Sequence, residues 1–159
     1  MKTQRTTSRI VLAAAPLLAA ALLTPLGGCQ LFNEQVAAEP GPAYPETLPQ
    51  GEVFDIQVFR DVTTLRFTNT TTRDFGPGVV WLNKRYSLPI DGFASGETVE
   101  LDLTAFVDEF GDTYRAGGFF AQREPAPVVL VQLETTDNTG EDAADLMLYG
   151  MVIVENKYN

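Results

Sequence analysis

Nucleophilic catalysis has few candidate side chains in this sequence of 159 residues. No histidine is present, so the usual general base near neutral pH and the commonest zinc ligand are both missing. Beyond residue 28 the only serines are Ser87 and Ser95, which lie in turn-like sequence without a Ser-x-x-Lys spacing. The one cysteine, Cys29, follows a long apolar run. The sequence therefore predicts no catalytic residue of the serine or cysteine hydrolase type.

Carboxylates are the other reactive groups, and the chain has 21 of them. A pair of carboxylates can hydrolyse glycosides without histidine, but no spacing marks one pair as close together or buried. The acidic turns Asp108–Asp112 and Asp137–Asp142 suit calcium better, although neither matches the twelve-residue calcium loop. No Gly-rich phosphate loop precedes a helical pattern. We therefore predict no catalytic residue, no metal ligand and no cofactor, and keep calcium or carbohydrate binding as an alternative.

The residues before the cysteine have the layout of an export signal. A basic start over residues 1–9 precedes the apolar run Ile10–Leu23, and the chain then reads Leu26-Gly27-Gly28-Cys29. This ending resembles the lipobox of bacterial lipoproteins, in which one aliphatic and two small residues stand before the cysteine. The resemblance implies that the signal peptidase recognises these three residues and removes residues 1–28. It also implies that Cys29 carries a diacylglycerol thioether.

The apolar run admits two other interpretations, a transmembrane helix and an ordinary cleaved signal. A membrane span needs about 20 uninterrupted apolar residues, whereas Pro16, Pro25 and the pair Gly27-Gly28 cut this run short. An ordinary signal leaves the position of the only cysteine unexplained. Gln30 follows Cys29 in place of the Asp that marks inner-membrane retention among many such lipoproteins. We therefore expect an exported protein, lipid-anchored to an envelope membrane, with the outer membrane favoured.

The stretch 29–50 predicts a lipidated tether. It contains prolines at positions 40, 42, 45 and 49 and shows little periodicity. Because proline lacks an amide hydrogen and disfavours helix in the residue before it, this stretch should be extended. At about 3.1 Å per residue, its length could hold the following domain on the order of 60 Å from the lipid surface.

Short apolar runs separated by turn residues fill the chain from residue 51 onward. Runs that alternate apolar with polar residues indicate strands with one buried face, and runs that are apolar throughout indicate central strands. The alternating runs are 54–58, 65–68 and 99–103; the apolar runs are 79–82, 128–133 and 146–154; a strand bulged at Gly117-Gly118 is predicted over 113–122. About seven strands over 51–159 predict an all-β domain that resembles an immunoglobulin-like antiparallel β-sandwich, with Trp81 in its core. A small β-barrel is the alternative.

The strands that are apolar on both faces give the main indication of function. In a two-layer sandwich the side chains of 128–133 and 146–154 cannot all lie in one core. Either a flanking segment covers the outer face, which we favour because the tether can fold back, or that face contacts a partner. The net charge of −10 disfavours nucleic acid as a partner. We therefore predict a non-enzymatic, lipid-anchored binding, assembly or accessory module, with an envelope protein as its candidate partner.

Overall fold

Seven strands and one short 3-10 helix make up the regular structure of the computed structural model, which describes residues 38–136 and 145–154. The strands are β1 (Gln50–Asp61), β2 (Thr64–Thr68), β3 (Gly78–Leu82), β4 (Tyr86–Ile90), β5 (Thr98–Asp102), β6 (Val131–Thr136) and β7 (Leu146–Val154). The 3-10 helix, Leu103–Ala105, follows β5 directly. The predicted signal sequence, Cys29 and the acidic stretch 137–142 lie outside the described residues.

The strands form one mixed sheet in the order β4-β3-β6-β7-β1-β2-β5. β1 pairs with β2 in an antiparallel hairpin and with β7 in parallel, and the other neighbouring pairs are antiparallel. Leu88 of β4 and Leu101 of β5 come from opposite ends of this order, yet both pack against the same core. The sheet therefore curls over itself into a half-barrel, which confirms the all-β prediction and agrees with either a sandwich or a small barrel. The parallel ladder is the departure from the antiparallel arrangement that we predicted.

The core follows the alternation that is visible in the sequence. Phe54, Ile56 and Val58 of β1 are buried, whereas the residues between them are exposed. Leu65 and Phe67 of β2 show the same pattern. Because successive strand residues point to opposite faces, these side chains fill the inside of the half-barrel.

One strand, β4, is missing from the sequence-based prediction. Its residues include Ser87 and Pro89, which interrupt the apolar pattern. Proline is tolerated here because β4 is at the edge of the sheet, where no further strand needs its amide hydrogen. The hairpin from β3 turns at Asn83 and Lys84, both at positive φ (54° and 57°). Three residues separate the paired Leu82 and Tyr86, and the turn is closed by a hydrogen bond from Arg85 N–H to the carbonyl oxygen of Leu82 at 3.0 Å. Positive φ at both central positions of such a turn matches the twist of the strands, and asparagine adopts it readily.

One predicted strand is wrong, because 113–122 is a loop. Gly117 and Gly118 have φ angles of 87° and 111°, which no strand ladder can continue. The apolar residues that suggested a strand, Phe119 and Phe120, point into solvent with 95% and 89% of their surface exposed. The number of strands is as expected only because this error and the missing β4 cancel.

Candidate functional site

The two serines considered as nucleophiles have structural roles. Ser87 is buried, and its hydroxyl donates to the carbonyl oxygen of Val107 at 3.3 Å. The hydroxyl of Ser95 donates to the carbonyl oxygen of Thr71 at 2.6 Å. Both hydroxyls therefore stabilise loops. The other predicted site residues, Leu26, Gly27, Gly28 and Cys29 of the lipobox, lie outside the described residues.

The acidic turn Asp108–Asp112 is organised around an arginine. The buried carboxylate of Asp108 accepts hydrogen bonds from Nε and Nη2 of Arg85, at 2.8 and 2.6 Å, through Oδ2. Its Oδ1 accepts from the backbone N–H groups of Phe110 and Asp112, at 3.0 and 2.8 Å. Both carboxylate oxygens of Asp108 are thus already engaged by hydrogen-bond donors. Within the described residues, 38–136 and 145–154, no cluster of three or more potential metal ligands occurs.

The same contacts shift the ionisation of both partners. Burial disfavours the charged form of Asp108, but hydrogen bonds from Arg85 and from two backbone amides outweigh it and hold the pKa of the carboxyl below its usual range. The hydrogen bond to Asp108 is also the main reason that the pKa of Arg85 is raised. Both shifts favour the charged forms of the pair.

The outer face of β3, β6 and β7 is covered by residues 38–49, which we call the cover segment. Trp81 is buried on this face, opposite in parity to the core residues Val80 and Leu82. The ring of Tyr44 packs edge-on against Trp81 with centroids 5.3 Å apart, and its hydroxyl donates to Oε1 of Gln132 at 2.7 Å. Trp81 is therefore buried as expected, but in a second layer outside the main core, and half of the predicted tether packs on the domain.

The cover segment runs along the whole face. At one end a Cβ on Gly111 would lie 2.8 Å from the carbonyl oxygen of Ala38, and Gly41 N–H donates to the carbonyl oxygen of Asp108 at 2.8 Å. At the other end the N–H of Leu148 donates to the carbonyl oxygen of Pro49 at 3.0 Å. The chain that precedes Ala38 therefore leaves the domain beside the Asp108–Asp112 turn.

That turn belongs to one end of the half-barrel, which we call the loop end: the turns at 62–63 and 83–85 together with residues 103–130. Side chains tie these loops to the strands. Arg60 donates to the carbonyl oxygens of Ala116 and Ala126, both at 2.6 Å. Asn83 Oδ1 accepts from Val129 N–H at 2.9 Å. The base of the long loop is therefore fixed even though its tip is in solvent.

The tip and its surroundings are apolar. The rings of Phe119 and Phe120 form a T-shaped pair with centroids 5.0 Å apart. Val62, Phe110 and Val129 are also largely exposed at this end. Val62 has a φ of 49°, an unfavourable conformation for a β-branched residue. Exposed apolar groups concentrated on anchored loops are typical of a contact surface.

An open cleft of about 830 Å³ lies beside this tip. Its walls include Arg85, Arg115 and Arg123, and among the described lining residues Asp112 is the only one with a carboxylate. Asp112 is 3.5 Å from Nη2 of Arg85. Within the described residues Arg115 and Arg123 have no ion-pair partner. The cleft therefore presents positive charge on a chain that is acidic as a whole.

No family model, curated protein or solved structure matches this chain. In the part of the chain that the structure describes, no helix is long and apolar enough to span a membrane. The sequence-based interpretation missed the exposed tip. The signal that could have revealed it is the pair Gly117-Gly118 before the phenylalanines and Pro125 with Pro127 after them, which together favour a loop.

Proposed function

We propose that this chain is an exported lipoprotein, anchored through Cys29 to an envelope membrane, that works by binding rather than by catalysis. The lipobox Leu26-Gly27-Gly28-Cys29 supports the anchor, and Gln30 favours the outer membrane. The domain is then an accessory or assembly module, held at the membrane by covalent lipid.

The observation that carries the binding function is the exposed apolar tip on a rigid base. Phe119 is 95% exposed, whereas the Arg60 hydrogen bonds hold the loop on either side of it. Large aromatic side chains supply much of the free energy of association when a partner buries them. Leaving such residues in water without a partner favours aggregation, so we assign the loop end as the working surface.

The alternative of a calcium or carbohydrate binder has less support from the described residues. Asp108 already pairs with Arg85 and accepts two backbone hydrogen bonds. The cleft at the loop end brings together arginines rather than carboxylates. Trp81 lies under Tyr44 and so offers no open ring for a sugar to stack on.

Lipid labelling tests the anchor. Cells that express the chain are fed a clickable fatty acid, and the Cys29→Ser variant is compared with wild type and with Gln30→Ser as the matched control. We expect label on wild type and Gln30→Ser, no label on Cys29→Ser, and a mature wild-type chain that starts at Cys29 by mass spectrometry. Label on Cys29→Ser, or a mature chain with another first residue, would contradict the proposal.

A further inference from the structure

We infer that the loop end docks on the surface of the same membrane that holds the lipid anchor. This inference deepens the binding function proposed above and rests on lipidation of Cys29. Three observations carry it: where the described chain leaves the domain, how short the remaining tether is, and which side chains lie at that end.

The chain leaves the domain at the loop end, because Ala38 lies against Gly111 in the Asp108–Asp112 turn. Only residues 30–37 separate Ala38 from Cys29. At no more than about 3.3–3.6 Å per residue, this length spans at most about 30 Å. The tether is therefore about half as long as the whole stretch 29–50 predicts, since the cover segment uses the rest.

The short tether decides which end can reach the lipid. The end of the half-barrel opposite the loop end is called the far end. The 12 residues of β1 run from the far end to the loop end, a length of about 36 Å. A tether that starts at the loop end is shorter than this distance. Laying the far end on the membrane would require the tether to span more than its full length, so the tether excludes contact through the far end and favours contact through the loop end.

The side chains at the loop end suit a lipid interface. Phe119, Phe120 and Val62 offer apolar surface that can enter the boundary between headgroups and acyl chains. Arg115 and Arg123 can reach phosphate groups while their stems stay in apolar surroundings.

The charge at the loop end matters mainly because it does not repel anionic lipid headgroups, rather than because it attracts them. Most of the described basic residues lie at the loop end or at the strand ends next to it, namely Arg60, Lys84, Arg85, Arg115 and Arg123. Exposed acidic residues occur there too, namely Asp61, Asp102, Glu109, Asp112 and Glu124. This end is therefore close to neutral on a chain with a net charge of −10. We expect apolar insertion to dominate docking, with a weak dependence on salt.

A dye attached near the tip tests the inference directly. The lipidated protein carrying Gln122→Cys is labelled with an environment-sensitive fluorophore and reconstituted into vesicles of phosphatidylethanolamine and phosphatidylglycerol. Cys29 is blocked by its lipid, so the new thiol is the only reactive one. Thr72→Cys, exposed in a turn at the far end, is the matched control. We expect a blue-shifted emission at 122 and quenching by lipid-borne nitroxide about threefold greater than at 72.

A pair of variants then assigns the insertion to the aromatic tip. In the Phe119→Ser, Phe120→Ser background, quenching at 122 should fall to the level seen at 72. Leu146→Ser removes an exposed apolar residue at the far end and should leave quenching unchanged. Circular dichroism checks that each variant is folded.

The outcomes separate this inference from the lipid anchor. A chain that lacks the lipid mass and does not float with vesicles would overturn the proposed function. A lipidated chain that floats, but whose label at 122 has water-like emission and is quenched no more than the label at 72, would overturn membrane docking alone. Burial of the label only when envelope protein is added would identify a protein partner and likewise overturn docking.

Discussion

Two aromatic regions of this molecule differ in their exposure to solvent. On the outer face of β3 and β6, Trp81 is 1% exposed because Tyr44 and the cover segment lie on it. At the loop end Phe119 is 95% exposed although the loop around it is hydrogen-bonded to the strands. The cover segment therefore buries the apolar outer face of the strands, whereas the apolar side chains of the loop end stay exposed and available for contact.

Truncating one aromatic side chain in each region should change the free energy of unfolding by very different amounts. We expect Trp81→Ala to lower the free energy of unfolding by about 3–5 kcal/mol, because it opens a cavity under Tyr44 and leaves Glu134 without its 2.6 Å hydrogen bond from Trp81 Nε1. Phe119→Ala should change it by less than about 0.5 kcal/mol. Urea unfolding measures both. Equal losses would show that the tip is part of the packed structure.

The Asp108–Arg85 pair joins the two regions, since Asp108 also accepts the N–H of Gly41 from the cover segment through its backbone carbonyl. Asp108→Asn should lower the free energy of unfolding by about 2–3 kcal/mol, because it places an amide against the guanidinium in a buried site. The neighbouring exposed Glu109→Gln removes the same charge and should have little effect.

The effect of Asp108 on stability should depend on pH in one direction. Because the pKa of Asp108 is lowered in the folded state, its stabilisation is fully present above the ordinary aspartate pKa of about 3.9 and is lost as pH falls through the lowered value. The difference between wild type and Asp108→Asn, measured by urea unfolding, should be constant near neutral pH and shrink below about pH 4. A difference that grows on acidification would contradict this.

Removing one hydroxyl tests how firmly the cover segment is held. Tyr44→Phe loses the 2.7 Å hydrogen bond to Gln132 and keeps the ring on Trp81, so we expect a loss of about 1 kcal/mol. Faster amide exchange over residues 38–49 should accompany it. Tyr86→Phe is the control, because the Tyr86 hydroxyl makes no hydrogen bond within the described residues. A similar loss in both variants would mean that the cover segment is not held by this contact.

The smallest expected effect is a gain in stability at the loop end. Val62 is β-branched and has a φ of 49°, so Val62→Asn should raise the free energy of unfolding by up to about 1 kcal/mol. The same change removes exposed apolar surface and should weaken binding of the loop end. A loss of stability in calorimetry would show that the Val62 side chain has a structural role.

Most strands could be predicted from the sequence because their alternation reflects a physical requirement, one face in the core. Phe54, Ile56 and Val58 show this directly. β4 could not, because an edge strand tolerates Pro89 and carries a weaker pattern. The parallel pairing of β1 with β7 joins residues about 100 positions apart and has no local signal.

The candidate site was harder to predict because exposure of a loop has no periodic signature. Phe119 and Phe120 look like strand residues, and the positive φ angles of Gly117 and Gly118 show that the chain turns away. The anchoring of the cover segment through Tyr44 likewise depends on a contact with Gln132, 88 positions away. The anchoring of the cover segment follows from tertiary packing, whereas the loop at 117–127 has a local signal in its glycines and prolines.

A photoreactive phenylalanine analogue in the intact cell envelope tests the central claim most directly. Placed at Phe119, it should form covalent adducts with membrane lipid, whereas the same analogue at Thr72 should form none with lipid. This result would show that the loop end is the contact surface and that it faces the membrane. An absence of adducts at 119, or equal lipid adducts at both positions, would contradict the account.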